Sequence, residues 1–89
     1  MLLTIQEARD WLRIDGVEND GIITPLINAA SEYITLSTGL TEEQQTASPT
    51  AKTAAKFLLS LWYDPGQSDA EKLQRSIDTL LKTITAINT

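Results

Sequence analysis

The chain contains no cysteine and no histidine in its 89 residues. It therefore lacks disulfides, thiolate nucleophiles, imidazole bases and the ligands of nearly every zinc or haem site. No apolar run approaches the roughly 20 residues of a membrane-spanning helix, and the start of the chain lacks the pattern of a signal peptide. These absences point away from an enzyme and from a membrane protein.

The remaining composition is typical of one small folded domain, which we expect to span residues 1–89. Hydrophobic residues make up 42% and charged residues 21%, too apolar a mixture for a disordered chain. Domains of this size usually need a disulfide, a metal or a partner to be comfortably stable. Because cysteine is absent, we expect self-association to supply that stability.

The charge balance is acidic, with seven basic and twelve acidic residues and a net charge of −5. The basic residues are spread along the chain, never more than two close together. A protein that grips nucleic-acid phosphates usually carries a basic stripe or patch. The charge pattern therefore disfavours nucleic-acid binding as the main activity.

Hydrophobic periodicity and helix caps predict an all-α fold without strands. The first helix opens with a capping box, in which Thr4 and Glu7 each satisfy a backbone N–H that the helix leaves free. Asp15-Gly16 is a turn signal, so this helix is expected to end near Ile14. The predicted bundle has four helices, at residues 4–14, 20–38, 49–63 and 69–86.

The second helix has the clearest pattern. Asp20 is expected to cap it, with Pro25 bending its first turn, unless Thr24 is the cap and Pro25 the first helical residue. Gly39 is placed to end the helix in the left-handed conformation. Its apolar stripe consists of Ile22, Ile23, Leu26, Ile27, Ala30, Tyr33 and Ile34.

The third helix is expected to be the most buried, because it is apolar over much of its circumference and rich in alanine. Ser48-Pro49 predicts its start and Pro65-Gly66 its end. Phe57 lies off its main face, as does Leu59. That main face consists of Ala51, Ala54, Ala55, Leu58, Leu61 and Trp62.

A second capping box, Ser68 with Glu71, predicts the start of the fourth helix, and the last three residues are expected to fray. Residues 40–48 form a polar loop with at most one helical turn. This loop and the turn at 64–68 are candidate contact segments, because loops on a rigid scaffold often carry interactions. The stripe of the fourth helix consists of Leu73, Ile77, Leu80, Leu81 and Ile84.

Two groups of residues are weak candidates for a metal-binding or a catalytic site. Asp15, Glu18 and Asp20 cluster in one loop, but their spacing fails the EF-hand register, so a turn and a helix cap are the favoured interpretation over a calcium site. Ser60 and Lys56 are four residues apart on the third helix, yet nothing supplies the third group of a catalytic set. We assign no catalytic, cofactor-binding or metal-binding residue and expect no cofactor.

Five aromatic residues and two pairs of cations remain to be interpreted. Trp62-Tyr63 could stack on bases, but interleaved cations are missing, so packing in the core or at an interface is favoured. Arg9 with Arg13 and Lys52 with Lys56 are each one helical turn apart. These pairs are typical of a solvated face, and inter-subunit pairing with acids is the alternative. The aromatic residues are Trp11, Tyr33, Phe57, Trp62 and Tyr63.

An ordered set of short motifs resembles the head–tail connector (adaptor) family of tailed bacteriophages and prophages, whose members are also described as phage DNA-packaging proteins. No single motif is specific, but their order and spacing are kept over about three-quarters of the chain. Two departures stand out: Asp64-Pro65-Gly66 follows the last motif, and no arginine follows Arg75. The motifs are Leu3-Thr4, Glu7-Ala8, Trp11-Leu12-Arg13-Ile14-Asp15, Ile23, Leu26-Ile27, Ala29-Ala30, Glu32-Tyr33-Ile34, Thr38-Gly39, Leu58-Leu59 and Leu61-Trp62-Tyr63.

The resemblance implies a structural, non-catalytic α-helical subunit at the head–tail junction of the virion. It would form a homo-oligomeric ring beneath the portal protein in the host cytoplasm during assembly, and would present its other side to a stopper or tail-completion protein. An acidic ring would let phage DNA pass without binding its sequence. The alternative is a small nucleic-acid-binding accessory of DNA packaging, which the absence of Lys and Arg from the second helix disfavours.

Overall fold

The computed structural model describes residues 2–64, 66 and 68–88, and of residues 87 and 88 it describes the backbone alone. Every regular element in these residues is an α-helix, which confirms the predicted all-α bundle. A short helix in the polar loop brings the number of helices to five. Their bounds are α1 Ile5–Leu12, α2 Asp20–Thr38, α3 Glu42–Thr46, α4 Pro49–Tyr63 and α5 Ala70–Asn88.

Local capping chemistry sets the starts of α1 and α4 as the sequence predicts. The Glu7 N–H donates to Thr4 Oγ1 and the Thr4 N–H donates to Glu7 Oε1, both at 3.0 Å, which completes the capping box. At α4, Ser48 Oγ accepts from the Ala51 N–H at 3.2 Å, and Pro49 occupies the first turn. These short-range interactions need no tertiary context, so the sequence alone locates them.

The end of α1 comes two residues earlier than the expected end near Ile14. Arg13 adopts the left-handed conformation, with φ 59° and ψ 46°. Its N–H donates to the Asp10 carbonyl, and the Ile14 N–H donates to the Arg9 carbonyl at 2.9 Å. This is the Schellman arrangement with arginine at the position that glycine usually fills. The turn signal at Asp15-Gly16 therefore follows the helix end instead of making it.

Replacing Arg13 with glycine is expected to raise the free energy of unfolding by about 0.5–1 kcal/mol. Glycine has no Cβ and therefore adopts a positive φ without strain, although the greater freedom of the unfolded chain offsets part of the gain. The exposed Arg13 side chain leaves little packing to lose. Urea unfolding followed by circular dichroism measures the difference. Arg13→Ala, which keeps the Cβ, is the control, and an equal gain in that variant would contradict the strain argument.

The start of α2 corrects the prediction for Asp20. The cap is Asn19, which makes no side-chain capping bond, and Asp20 is the first helical residue. The helix runs through Pro25, so the alternative start at Thr24 is wrong. At the other end Gly39 has φ 82° and donates its N–H to the Thr35 carbonyl at 2.8 Å, as predicted.

The loop at 40–48 contains α3, a short helix of the kind that the sequence allows there, and α3 opens with its own capping box. The fourth predicted helix, α5, begins at Ala70, and its first backbone bond runs from the Leu73 N–H to the Asp69 carbonyl. The helix therefore starts one residue later than a capping box of Ser68 and Glu71 requires. It continues to Asn88, beyond the expected end at 86. The predicted roles of Pro65 and Thr89 fall on residues outside the described ranges.

The core surrounds α4, which packs against each of the other four helices. Its alanines are fully buried, as expected for close helix contacts. Leu59, which lies off the predicted main face, is also fully buried, whereas Phe57 is half-buried, so α4 is buried over more than that one face. Leu2 and Leu3 precede α1 and are buried in the core. Leu3 and Ala8 occupy the two positions of a hydrophobic staple at the start of α1.

Candidate functional site

Trp11 lies near the end of α1, close to three side chains of α4. Its indole N–H donates to Ser60 Oγ at 2.7 Å, and Lys56 Nζ lies 5.8 Å from the centroid of its ring. The Trp11 and Phe57 ring centroids are 5.9 Å apart. Ser60 and Lys56, the weak catalytic candidates of the sequence, thus both contact an aromatic ring that is 39% exposed. The cluster anchors α1 to α4 and leaves a cation at an aromatic surface.

Two lysines of α4 also act on the α1 capping box. The pKa of Glu7 is lowered, first by the hydrogen bond from the Thr4 backbone N–H and further by the positive charges of Lys52 and Lys56. Lys56 thus acts on Glu7 as well as lying near the Trp11 ring. Lys52 and Lys56 therefore act on an acid of the same chain, while the inter-subunit pairing with acids stays a prediction.

Arg9 ties α1 to the start of α2. Its Nε donates to Asp20 Oδ1 at 2.9 Å and its Nη2 donates to Asp20 Oδ2 at 2.8 Å, a two-bond pair that fits a guanidinium to a carboxylate. The hydrogen bond from Arg9 is the main cause of the lowered pKa of Asp20. The partner of Arg9 thus lies within the chain, while Arg13, one turn on, has its side chain exposed.

The acidic turn does not bring its three carboxylates together around a common point. Asp20 is held by Arg9, and the Glu18 carboxylate lies over Gly16, where a Cβ would collide with it. Gly16 has φ 84°, so glycine suits this turn both in conformation and in space. Among the residues that the structure describes, no group of three or more potential ligands is placed to hold a metal ion.

The outer side of α2 carries an exposed apolar strip, here called the outer ridge. Leu36 is 81% exposed and Ile22 is 59% exposed. Tyr33 is partly covered, because its ring meets Trp62 edge-on at a centroid distance of 5.9 Å. The outer ridge consists of Ile22, Leu26, Ala29, Tyr33 and Leu36, of which Leu26 is half-buried and also packs against the core. These positions are spaced four and three residues apart in alternation, as in a seam between packed helices.

A second apolar surface lies between α4 and α5 and is here called the α4–α5 groove. It is an open groove of about 450 Å³ with Phe57 and Leu80 as its apolar walls. Phe57 joins it to the Trp11 cluster. Arg75 is the charged residue that lines it. The lining consists of Thr53, Phe57, Arg75, Ser76, Thr79 and Leu80.

Sequence reasoning did not separate the outer ridge from the core face of α2. It placed Ile22, Leu26 and Tyr33 on one stripe with the fully buried Ile23 and Ile27. The signal that separates the two faces is a pair of parallel apolar stripes, one shifted by a single residue from the other. Together they are wider than the surface that one neighbouring helix can cover. In the candidate contact loop at 41–48, Gln45 is fully buried, while the residues at 41–44, 46 and 47 are exposed.

Comparison with known proteins gives one finding. The model of the phage gp6-like head–tail connector protein family matches residues 2–88. No curated protein and no solved structure gives a significant match. Among the described residues, no helix combines the length and apolarity needed to cross a bilayer. The family match agrees with the motif resemblance and spans nearly the whole chain, so the chain belongs to the gp6-like head–tail connector family of phage structural proteins.

Proposed function

We propose that this single-domain chain is the subunit of a ring that closes the portal vertex of a phage capsid and joins it to the tail. The family match over residues 2–88 carries the proposal. The portal protein would contact one side of the ring, and a stopper or tail-completion protein the other. The exposed outer ridge supports an assembled state, because an apolar strip of this kind is costly to leave in water.

The charge distribution suits a channel through which DNA passes. The net charge is −5, and α2 contains no Lys or Arg along its whole length. Acidic walls repel phosphates, so the phage DNA would move through the ring without sequence-specific binding. The subunit would assemble in the host cytoplasm and remain in the virion at the head–tail junction.

The test is binding to the portal protein encoded by the same phage genome. The purified chain is mixed with assembled portal rings, and the mixture is analysed by size-exclusion chromatography with light scattering and by negative-stain electron microscopy. We expect the chain to co-elute with the portal and to add density at one end of it. A chain that binds neither to the portal nor to itself would overturn the proposal.

The same samples test the packaging-accessory alternative. Duplex DNA is titrated with the chain at two salt concentrations. A protein that grips phosphates binds DNA with a steep dependence of affinity on salt. Steep, salt-sensitive binding without portal binding would favour the accessory role. We expect no such binding from a chain of this charge.

A further inference from the structure

The outer ridge and the α4–α5 groove have complementary charges. Glu32 lies beside the outer ridge, and α2 carries acids but no cation. The groove is lined by Arg75, and Lys56 lies near its Phe57 wall through the Trp11 cluster. An outer ridge facing another outer ridge would bring two cation-free acidic helices together, whereas an outer ridge in a groove pairs opposite signs. The charges therefore favour the groove as its counterpart.

The two surfaces lie on different sides of the molecule and can be occupied at the same time. Tyr33 of the outer ridge meets Trp62 of α4, while Phe57 of α4 lines the groove. Phe57 and Trp62 lie five positions apart along α4, which places them about 140° apart around the helix. One copy can thus offer its outer ridge to one neighbour and receive the outer ridge of another. Contacts of this head-to-tail kind generate rings when the rotation closes.

We infer that the outer ridge of one copy docks into the α4–α5 groove of the next, and that this contact builds the ring. The occupant of each surface is a second copy of this chain. The inference rests on the proposed ring-forming function and goes further, by naming the two surfaces that meet. In the contact, the Leu36 end of the outer ridge enters the groove and loses its exposure, and Glu32 approaches the Arg75 side of the groove.

One variant on each surface tests the contact. Leu36→Asp places a charge on the outer ridge, and Ser76→Glu places a carboxylate inside the groove. Both positions are exposed in the monomer, so the fold should survive, which circular dichroism and thermal unfolding check. Sedimentation velocity over a concentration series measures self-association. We expect each substitution to weaken it by about tenfold or more, because Leu36→Asp would bury a charged side chain in the contact and Ser76→Glu would set a second acid against Glu32 of the incoming copy.

Matched controls add the same single negative charge at positions outside both surfaces. Asn28→Asp adds an acid at an exposed position of α2, about 120° around the helix from the middle of the outer ridge. Gln44→Glu adds the same single negative charge as Ser76→Glu, on the exposed side of α3. Both controls should associate like the wild-type chain. Equal loss in the controls would show a general effect of net charge and would overturn the inference.

A mixture of the two variants gives the decisive result. The Leu36→Asp chain keeps an intact groove and the Ser76→Glu chain keeps an intact outer ridge, so together they can form one junction and no more. We expect an equimolar mixture to form 1:1 dimers that grow no further. If only Leu36→Asp fails to associate and the mixture gains nothing, two outer ridges face each other, and the inference is wrong.

The remaining outcomes separate this inference from the proposed function. A wild-type chain that stays monomeric at its highest soluble concentration but binds the portal overturns the inference and leaves the proposed function standing. A Leu36→Asp chain that self-associates like the wild-type chain also overturns the inference and leaves the proposed function standing. If Leu36→Asp abolishes portal binding without affecting self-association, the portal covers the outer ridge, and the inference is again wrong. A wild-type chain that shows neither interaction overturns both.

Discussion

Replacing Leu58 with alanine is expected to lower the free energy of unfolding by about 2–5 kcal/mol. Leu58 is 1% exposed on α4, the helix that packs against all four others, so the cavity it leaves opens at the centre of the bundle. Its neighbours Ala54 and Ala55 are already small and offer no side-chain atoms to fill the space. A domain of this size is stable by only about 5–13 kcal/mol, so the loss is a large share of the total.

Urea unfolding of the dilute monomer measures this loss, and the melting temperature should fall by more than about 8 °C. Leu36→Ala is the matched control, because it removes the same atoms from a side chain that is 81% exposed. It should change the unfolding free energy by less than about 0.5 kcal/mol while weakening self-association. If Leu58→Ala also changed the unfolding free energy by less than about 0.5 kcal/mol, α4 would not lie at the centre of the core.

The sequence predicts those parts of the fold that neighbouring residues determine. Thr4 with Glu7, Ser48 with Pro49, and Gly39 each act within one turn of a helix, and each is found where it is expected. The same local rule also identifies α3, since Thr41 and Gln44 form a capping box with bonds of 2.9 and 3.2 Å. The surrounding polar residues obscured that signal, because no apolar run follows it.

The features that the sequence does not predict depend either on an uncommon local conformation or on residues far apart in the chain. Arg13 ends α1 in a conformation that its residue type disfavours, so only the bonds of the folded helix end reveal it. Asp20 is the first helical residue and not the cap, and its carboxylate accepts from Arg9, eleven residues earlier. The exposure of Ile22 and Leu36 follows from which side of α2 the other helices cover, and periodicity alone gives two equally apolar sides.

Gln45 joins α3 to α2 through a fully buried amide. Its Oε1 accepts from Ser31 Oγ at 2.9 Å, and its Nε2 lies within hydrogen-bond distance of three oxygens: Thr35 Oγ1 at 2.7 Å, the Leu40 carbonyl at 3.0 Å and the Ser31 carbonyl at 3.1 Å. Two of these oxygens are carbonyls, which only accept hydrogen bonds, so the amide nitrogen must face them. Every buried side-chain polar atom in the described part of the chain has a partner.

Replacing Gln45 with glutamate is expected to lower the free energy of unfolding by about 3 kcal/mol or more at neutral pH. The change keeps the shape of the side chain but places a carboxylate oxygen against the Leu40 and Ser31 carbonyls in a fully buried site. Gln44→Glu is the control on the adjacent residue. Gln44 is exposed, and glutamate serves equally well in the capping box, so its effect should stay within about 0.5 kcal/mol.

The pH dependence of the Gln45→Glu variant separates burial of charge from loss of shape. Burial and the facing carbonyls should raise the pKa of the new carboxyl in the folded state above its unfolded value of about 4.3. The unfolded chain then releases the proton first, so stability is retained below that value and falls by about 1.4 kcal/mol per pH unit up to the folded pKa. Unfolding free energies of the variant and of Gln44→Glu, compared from pH 4 to pH 8, should therefore diverge as the pH rises. Parallel curves would mean that solvent reaches the side chain at position 45, and that α3 is held to α2 by something other than this amide.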